Sequence, residues 1–518
     1  MNYTQDDLNY FKELGINSKD IDQQLSNFKT GFKAISLVEP ATINNGIISI
    51  QPEEEDELIA TYDNARTERK VMKMVPASGS ATRMFKDLFA FMDTYTGSSE
   101  DFLNFVQYKD SGTMYYFFQK LDEMPFYERL SDTMWKAGKD IKKEIEKRNF
   151  GEILKFILYK KGLNYSNTPK GLVDFHIYRD FVRTAFDEHL VEGATYANDN
   201  KVAHIHFTVS EEYLHLFQAR LRKVSKVFEK MFGIKYEVTF SIQNPTTDMV
   251  CLDMDGNIVR DENNKIVFRP GGHGALIHNL NELDADIIFI KNIDNVLPDR
   301  AKADTIKYKK MLAGFLIDVQ QKVFDFLNTL DNDPDESQLA EIESYLCSIG
   351  YKETENLAKA SKAERISYLQ NLLDRPIRIC GMVKNEGEPG GGPFWVKTSD
   401  GNSHLMIVET SQIDTQDKTQ KEILANSTHF NPVDIVCSIK NRNGEKYDLT
   451  KFIAKEQGFI STKSYKGQEI KIQELPGLWN GAMANWTTVF VEVPLTTFTP
   501  VKTVFDLFRF EHRNILKR

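Results

Sequence analysis

Apolar positions recur at helical spacing through the first seventy residues. Leu8, Phe11 and Leu14, then Ile21, Leu25 and Phe28, fall three or four positions apart, so each trio shares one helix face. Pro52 is followed by Glu53, Glu54, Glu55, Asp56 and Glu57. Acids in a first turn favour a helix start. Residues 1–70 are therefore read as helical. At Met72–Val75 the pattern becomes a short, mostly apolar run, as in a buried strand. From 86 to 165 aromatic and aliphatic residues return at helical spacing (DLFAFMDTY, EDFLNFVQY, MYYFFQKLDEM, GEILKFILYKKG). Such stripes are core, and the block reads as a helical insertion or cap.

Lys201–Val209 alternates like a strand. Ser210 with Glu211 and Glu212 caps the next helix, which ends at Gly233. Strands are predicted over Tyr236–Ile242 and Ala285–Lys291, the second leading into Asn292-Ile-Asp-Asn295. Asp253-Met-Asp-Gly256 between them reads as a hairpin-like turn. Residues 301–375 are helical, with an exposed linker at Asp331–Glu336. Strands and loops follow (RICGMV, FWVKT, HLMIVE, VDIVCSI, TTVFVEVP). Alternating strands and helices with long inserted blocks predict an α/β sheet, with function at the strand ends. The expected division is a helical region over 1–70, half of an α/β core over 71–300 with the insertion at 86–165, a helical insertion over 301–375, and a part completing the core over 376–518.

Composition narrows the class. The 518 residues are 41% hydrophobic, enough for a large core, and the net charge is −10. That argues against broad nucleic-acid binding, which needs a basic face, but leaves room for a locally basic pocket. The four cysteines, Cys251, Cys347, Cys380 and Cys437, show no CxxC or zinc spacing, so a reduced, cytoplasmic setting is expected. The N-terminus is acidic and amphipathic, unlike a signal peptide. No apolar run of about 18 residues predicts a membrane span.

Candidate chemistry begins in the loop after the first buried strand, Val75–Lys86 (VPASGSATRMFK). Small residues let backbone N–H groups approach a phosphate closely, which makes Ala77, Ser78, Gly79, Ser80 and Thr82 candidates for nucleotide contact. Arg83 adds a planar, permanently charged donor. The loop has neither P-loop nor GxGxxG spacing, and a structural turn with a surface arginine is the competing reading.

Gly79-Ser-Ala-Thr-Arg-Met84 resembles the G-x-G-T-R-[ML] signature of sugar-nucleotide pyrophosphorylases, with Ala81 where a second glycine is expected. That signature continues to a Pro-Lys. Here Thr168-Pro-Lys170 follows the helical block, which makes Lys170 the candidate phosphate lysine, with Lys86 a competitor. Phe240-Ser-Ile-Gln243, Pro270-Gly-Gly-His-Gly274 and Asn292-Ile-Asp-Asn295 resemble, in order, elements of the UDP-sugar pyrophosphorylases. The first is one residue longer than the family's spacing. Phe498-Thr-Pro-Val-Lys-Thr-Val-Phe-Asp-Leu507 resembles their closing motif, with Thr497 where arginine is common. Leu405–Glu409 and Thr428–Asn431 resemble their sugar-binding strand and loop.

The resemblance implies a GT-A-type fold in a distant relative of these enzymes, from an uncharacterised family, with no left-handed β-helix domain following. It implies nucleotidyl transfer: a sugar 1-phosphate attacks the α-phosphorus of a nucleoside triphosphate, here UTP, and pyrophosphate leaves. Arg83, Lys170 and Lys502 would supply positive charge. Asp294 would hold Mg²⁺, a hard cation suited to carboxylate oxygen. Gln243 and Gly272 would contact the base and His273 the ribose, phosphate or sugar. Glu409 and Asn431 would bind sugar hydroxyls. Two alternatives stay open: a non-catalytic nucleotide-sugar binder on the same fold, and a GT-A glycosyltransferase using Asp253-Met-Asp255 as its metal motif. His204 and His206 lack a third ligand and read as structural. Glu188 and His189 read as solvated on an amphipathic helix. No G-x-S-x-G elbow surrounds Ser78 or Ser80.

Overall fold

A computed structural model describes residues 3–107, 109–110, 112–352, 360–388, 390–397 and 402–513. Nine strands matter for the site: β1 (Thr42–Ile43), β2 (Gly46–Ile48), β3 (Val71–Pro76), β4 (Val202–Val209), β5 (Lys235–Ile242), β6 (Ile287–Lys291), β7 (Ile377–Lys384), β8 (His429–Ser438) and β9 (Thr487–Glu492). The chain forms two compact units. Unit 1 comprises Met1–Met74, Ser241–Ile290 and Tyr308–Pro494; unit 2 comprises Val75–Phe240, Lys291–Lys307 and Leu495–Arg518.

In unit 1 the strand order is β1-β2-β9-β7-β8-β6-β3. Pairs β1/β2, β2/β9, β9/β7 and β6/β3 are parallel, and β8 runs antiparallel to β7. This is the expected α/β fold with a mostly parallel sheet. Val71–Val75 and Ile287–Lys291 are buried at every position. Parallel strands covered on both faces are apolar on both, and these two are apolar except for the buried Lys73 and Lys291, which is why both could be read without alternation.

The region 1–70 departs from its helical reading. Helices Gln5–Leu14, Ser18–Thr30 and Pro52–Ala65 form, but Leu37–Pro40, β1 and β2 are strands. Leu37–Pro40 pairs with Gly391–Lys397. Segments of two to four residues are too short to show a period, and their remote partners decide them. The hairpin Phe459–Tyr465/Gln468–Glu474 was likewise not anticipated. Thr398, expected at the end of one strand, lies outside the described residues.

Helices Pro52–Ala65 and Ala303–Leu330 approach closely at Gly314, where an added Cβ would lie 1.9 Å from the Leu58 carbonyl oxygen. Backbone cannot yield as a flexible side chain can. Gly314→Ala is therefore expected to lose about 1–3 kcal/mol of stability, read as a lower urea midpoint at unchanged m-value.

In unit 2, β4 and β5 are neighbours. Helices Lys86–Thr94, Ser99–Gln107, Met114–Gln119, Tyr127–Lys136, Ile141–Glu146 and Phe150–Leu158 follow the loop after β3. Their aromatics pack together, Phe91 on Tyr95 at 4.7 Å and Phe118 on Phe150 at 4.3 Å. They share one core with Ile205 and Phe207 of β4 and with Phe186. Helix Ala185–Thr195 opens with a capping box between Thr184 and Asp187. It is buried from Ala185 to Gly193. Glu188 and His189 are thus fully buried, not solvated as expected: partners from distant segments meet the helix on its polar side too. Among the described residues no helix is long and apolar enough to cross a membrane.

Candidate functional site

The loop after β3 is pinned from behind. Ala77 N–H donates to the Thr208 carbonyl (2.8 Å), Ala81 N–H to that of Thr168 (3.0 Å), and Lys170 N–H to that of Gly79 (3.0 Å). The Ser210 hydroxyl donates to the Ser78 carbonyl at 2.9 Å. Ser78, Gly79, Ser80, Thr82 and Arg83 are exposed, and among the described residues none of their N–H groups bonds to a backbone oxygen. That leaves a row of free donors, the arrangement an anion uses. Ala81, which stands where glycine is expected, is fully buried with its methyl in the unit 2 core, and its φ is not positive. The alanine therefore adds nothing to the exposed face of the loop and strains nothing.

Lys170 comes back to this loop after the helical block, through the bonds between 79–81 and 168–170. Its Nζ lies 2.6 Å from Asp294 Oδ2, and Lys502 Nζ lies 3.5 Å from the same oxygen. The Lys170 and Asp294 side chains are 14% and 11% exposed, and that of Lys502 is 56% exposed. Burial would raise the Asp294 carboxyl pKa, but the charges of Lys170 and Lys502 outweigh it and hold it below the ordinary range. Lys86, the alternative lysine, is exposed at the start of its helix.

The backbone around Asp294 is fixed on several sides. His189 Nε2 donates to the Ile293 carbonyl at 3.1 Å. Lys291 bonds the buried Glu192 at 2.8 Å. Asn295 donates to the Thr497 carbonyl (3.3 Å) and accepts from Thr499 N–H (3.0 Å), while Val501 N–H donates to the Asp294 carbonyl (3.1 Å). Val504 N–H donates to the Met84 carbonyl at 2.9 Å, beside Arg83. Asp506 receives the N–H groups of Lys502 and Thr503 at 2.8 and 2.6 Å. The segment bearing Lys502 is thereby laid between the loop and Asp294. Asn295 and Asp506 lie within the motifs but carried no role from sequence, and His189 was read as solvated. Only Asp506 had a local signal, the capping pattern Thr503-x-x-Asp506.

Asp294 Oδ1 is buried with no hydrogen-bond partner. A magnesium ion held by one carboxylate, with phosphates supplying further oxygens, needs such a free oxygen, so the residue fits the metal expected there. Among the described residues no group of three His, Cys, Asp or Glu is placed to hold a metal.

The base-site and sugar-site candidates lie in unit 1. Gln243 Nε2 donates to Thr247 Oγ1 at 3.3 Å. Gly272 has φ +81°, and an added Cβ would meet Glu474 at 3.0 Å. His273 stacks on Trp479 (centroids 4.3 Å), accepts Leu478 N–H at Nδ1 (3.0 Å) and turns Nε2 toward Glu409 (3.7 Å). Its enclosure lowers its pKa against the pull of Glu409 and Glu474, and the Leu478 bond selects the Nε2–H tautomer. Asn431 is buried, and its Oδ1 accepts from Val433 N–H, whose residue has φ +59°. Asp253 serves its own turn, taking Asn257 N–H at 2.8 Å. His204 pairs with Asp199 and Glu237, and His206 with Thr239. Unit 2 therefore gathers the loop, Lys170, Asp294 and Lys502; within unit 1, His273 meets Glu409.

A family model described as Domain of unknown function (DUF4301) matches residues 4–513. The chain belongs to the DUF4301 family. A comparison with curated proteins returned no match. Among solved structures, this DUF4301 chain is similar to a uridine diphosphate N-acetylglucosamine pyrophosphorylase from Trypanosoma brucei, at 14% identity and TM-score 0.47, covering 94% of this chain and 74% of that one. A UDP-glucose phosphorylase from the same organism matches at 14% identity and TM-score 0.45, covering 97% and 77%. A UDP-glucose pyrophosphorylase from Leishmania major matches at 12% identity and TM-score 0.44, covering 99% and 79%.

Proposed function

We propose that this DUF4301 protein is a nucleotidyltransferase that makes a nucleotide-sugar and pyrophosphate from a nucleoside triphosphate, UTP, and a sugar 1-phosphate. The observation that carries this reading is the meeting of Lys170 and Lys502 at Asp294, beside a loop of free N–H groups ending in Arg83. A phosphate oxygen of the sugar 1-phosphate attacks the α-phosphorus, the bond to the β-phosphate breaks, and pyrophosphate carries away the charge. Two anions must be brought together, so the protein's task is alignment and charge offset.

In this reading the amides of Ser78, Gly79, Ser80 and Thr82, with Arg83, hold the triphosphate. Lys170 and Lys502 turn from Asp294 toward phosphate oxygens when substrate enters. Asp294 would hold Mg²⁺, which when bound offsets phosphate charge. Gln243 and Gly272 belong to the base, His273 to the ribose, phosphate or sugar, and Glu409 and Asn431 to sugar hydroxyls.

The test is pyrophosphate release across a matrix of nucleoside triphosphates and sugar 1-phosphates with Mg²⁺. A flat matrix from folded protein sinks the enzymatic reading, and binding without turnover would leave a nucleotide-sugar binder. In the productive pair, Lys502→Ala is expected to lower kcat about 100-fold with an unchanged urea midpoint, because the side chain is half exposed and contributes little to packing.

A further inference from the structure

Unit 2 holds a second polar cluster that the proposed chemistry leaves unused. The fully buried Glu188 accepts hydrogen bonds from His176 Nδ1 (2.9 Å), Tyr178 Oη (2.9 Å), Arg183 Nη1 (3.3 Å) and Lys302 Nζ. Arg183 and Lys302 also reach Asp299, at 2.6 and 3.2 Å. Two carboxylates balance two cations, so the imidazole needs no charge. His176 Nε2 in turn lies 3.0 Å from His512 Nδ1, with the rings 13° from parallel. Both histidines are buried.

The proton positions follow from Glu188. A carboxylate only accepts, so His176 Nδ1 carries a proton and its Nε2 accepts from His512 Nδ1. His512 Nε2 is then a bare nitrogen, buried without a hydrogen-bond partner. His512 belongs to the segment that carries Lys502. Upstream, that segment is tied by Asn295 at Thr499, by the Asp294 carbonyl at Val501 and by the Met84 carbonyl at Val504. Downstream, Arg300 bonds the carbonyls of Phe510 and Arg513, and His512 plugs into His176.

We propose that the Glu188–His176–His512 chain is a proton-controlled anchor for residues 495–513. Neutral imidazoles seat the segment, and with it Lys502; a proton taken up by His512 releases it. This is regulation of the site described above, and rests on the reading of Lys502 as a phosphate-facing lysine. His512 is a positioning residue: it acts through the segment, not on substrate.

The groups facing His512 are His176, Arg509 and Arg300, all opposed to a further positive charge. Burial, then His176 and these arginines, pull its pKa down to about 3, against the Thr499 backbone. Burial lowers that of His176 too. Glu188 is held below the carboxylate range and Tyr178 above the ordinary phenol. Between pH 5 and 8 the imidazoles alone change charge on release. The released segment binds a proton near pH 6.5 and the seated one does not. Seating is therefore complete above about pH 6.5 and weakens about tenfold per unit below it.

Hydrogen exchange of the full chain tests this at the amides of Thr499, Val501 and Val504. After correction for intrinsic exchange, their opening constant should rise about tenfold between pH 7.5 and 5.5. In His512→Asn, whose Nδ2–H replaces the donor but cannot titrate, it should stay flat. His512→Gln serves as the second non-titrating variant. A flat response in the wild type, or an equal rise in a folded non-titrating variant, overturns the anchor. If pyrophosphate release is found, its acid limb should shift or vanish in His512→Asn while kcat at pH 7.5 is kept. Acid opening beside a flat activity matrix would keep the anchor and remove the nucleotidyltransferase reading instead.

Discussion

Lys170→Met should lower turnover about 1000-fold, a loss of roughly 4 kcal/mol in transition-state stabilisation. Methionine keeps most of the stem and removes the ammonium, both its charge and its hydrogen bond to Asp294. Lys170 is much the less exposed of the two lysines and lies closer to Asp294, so water screens it least and its charge counts most. The effect should exceed that of Lys502→Ala for the same reason. Because both lysines address one carboxylate oxygen, the double variant should fall well short of the product of the two single losses. The Asp294 carboxyl would lose its nearest cation, and its pKa should climb toward the ordinary range. Single-turnover kinetics with the productive substrate pair checks the rate, and the urea midpoint checks the fold. A kcat within threefold of wild type would remove Lys170 from the chemistry.

Lys170 was legible only through its motif. Nothing in periodicity says that a lysine beyond six helices returns to the loop at Gly79; the Pro-Lys pair after the helical block did. The buried strands at Val71–Val75 and Ile287–Lys291 were legible because short, nearly all-apolar runs, each with a single lysine, have few other uses. The strands between 37 and 48 were not, since their pairing lies with residues near 395 and 490. Ala81 stands where the motif has glycine, and only the structure shows that its methyl faces the core. Asp506 could have been found from its capping pattern. The bracing role of Asn295 could not, although the residue stands in its motif: its partners are backbone atoms of Thr497 and Thr499, which no side-chain pattern encodes.

Glu188 and His189 show the limit most sharply. Helical spacing reports which residues share a face, not what later covers the other face. Here Lys302, Arg183, His176 and the Ile293 carbonyl cover it. Charged residues are rarely buried unless paired, and no single residue of this network announces its partner along the chain.

Glu188→Gln should accordingly be among the most damaging substitutions for stability. Glutamine fills the same space and still accepts the His176 and Tyr178 hydrogen bonds, but it leaves Lys302 and Arg183 buried beside a neutral group. Breaking a buried pair from one side costs about 3–5 kcal/mol, because the remaining charge stays desolvated. Burial alone would raise the Glu188 pKa; Lys302, His176 and Arg183 outweigh it and depress it. A carboxyl depressed on folding contributes stability fully above its unfolded pKa, near 4.3, and loses that contribution as pH falls toward the folded value. The difference in unfolding free energy between wild type and Glu188→Gln should thus be constant from pH 6 to 8 and shrink below about pH 4. Urea titrations across that range read it directly. A difference under about 1 kcal/mol at pH 7 would mean that the two cations find other partners once Glu188 is neutral, and the Glu188–His176–His512 chain would then lack the fixed charge that sets its proton positions.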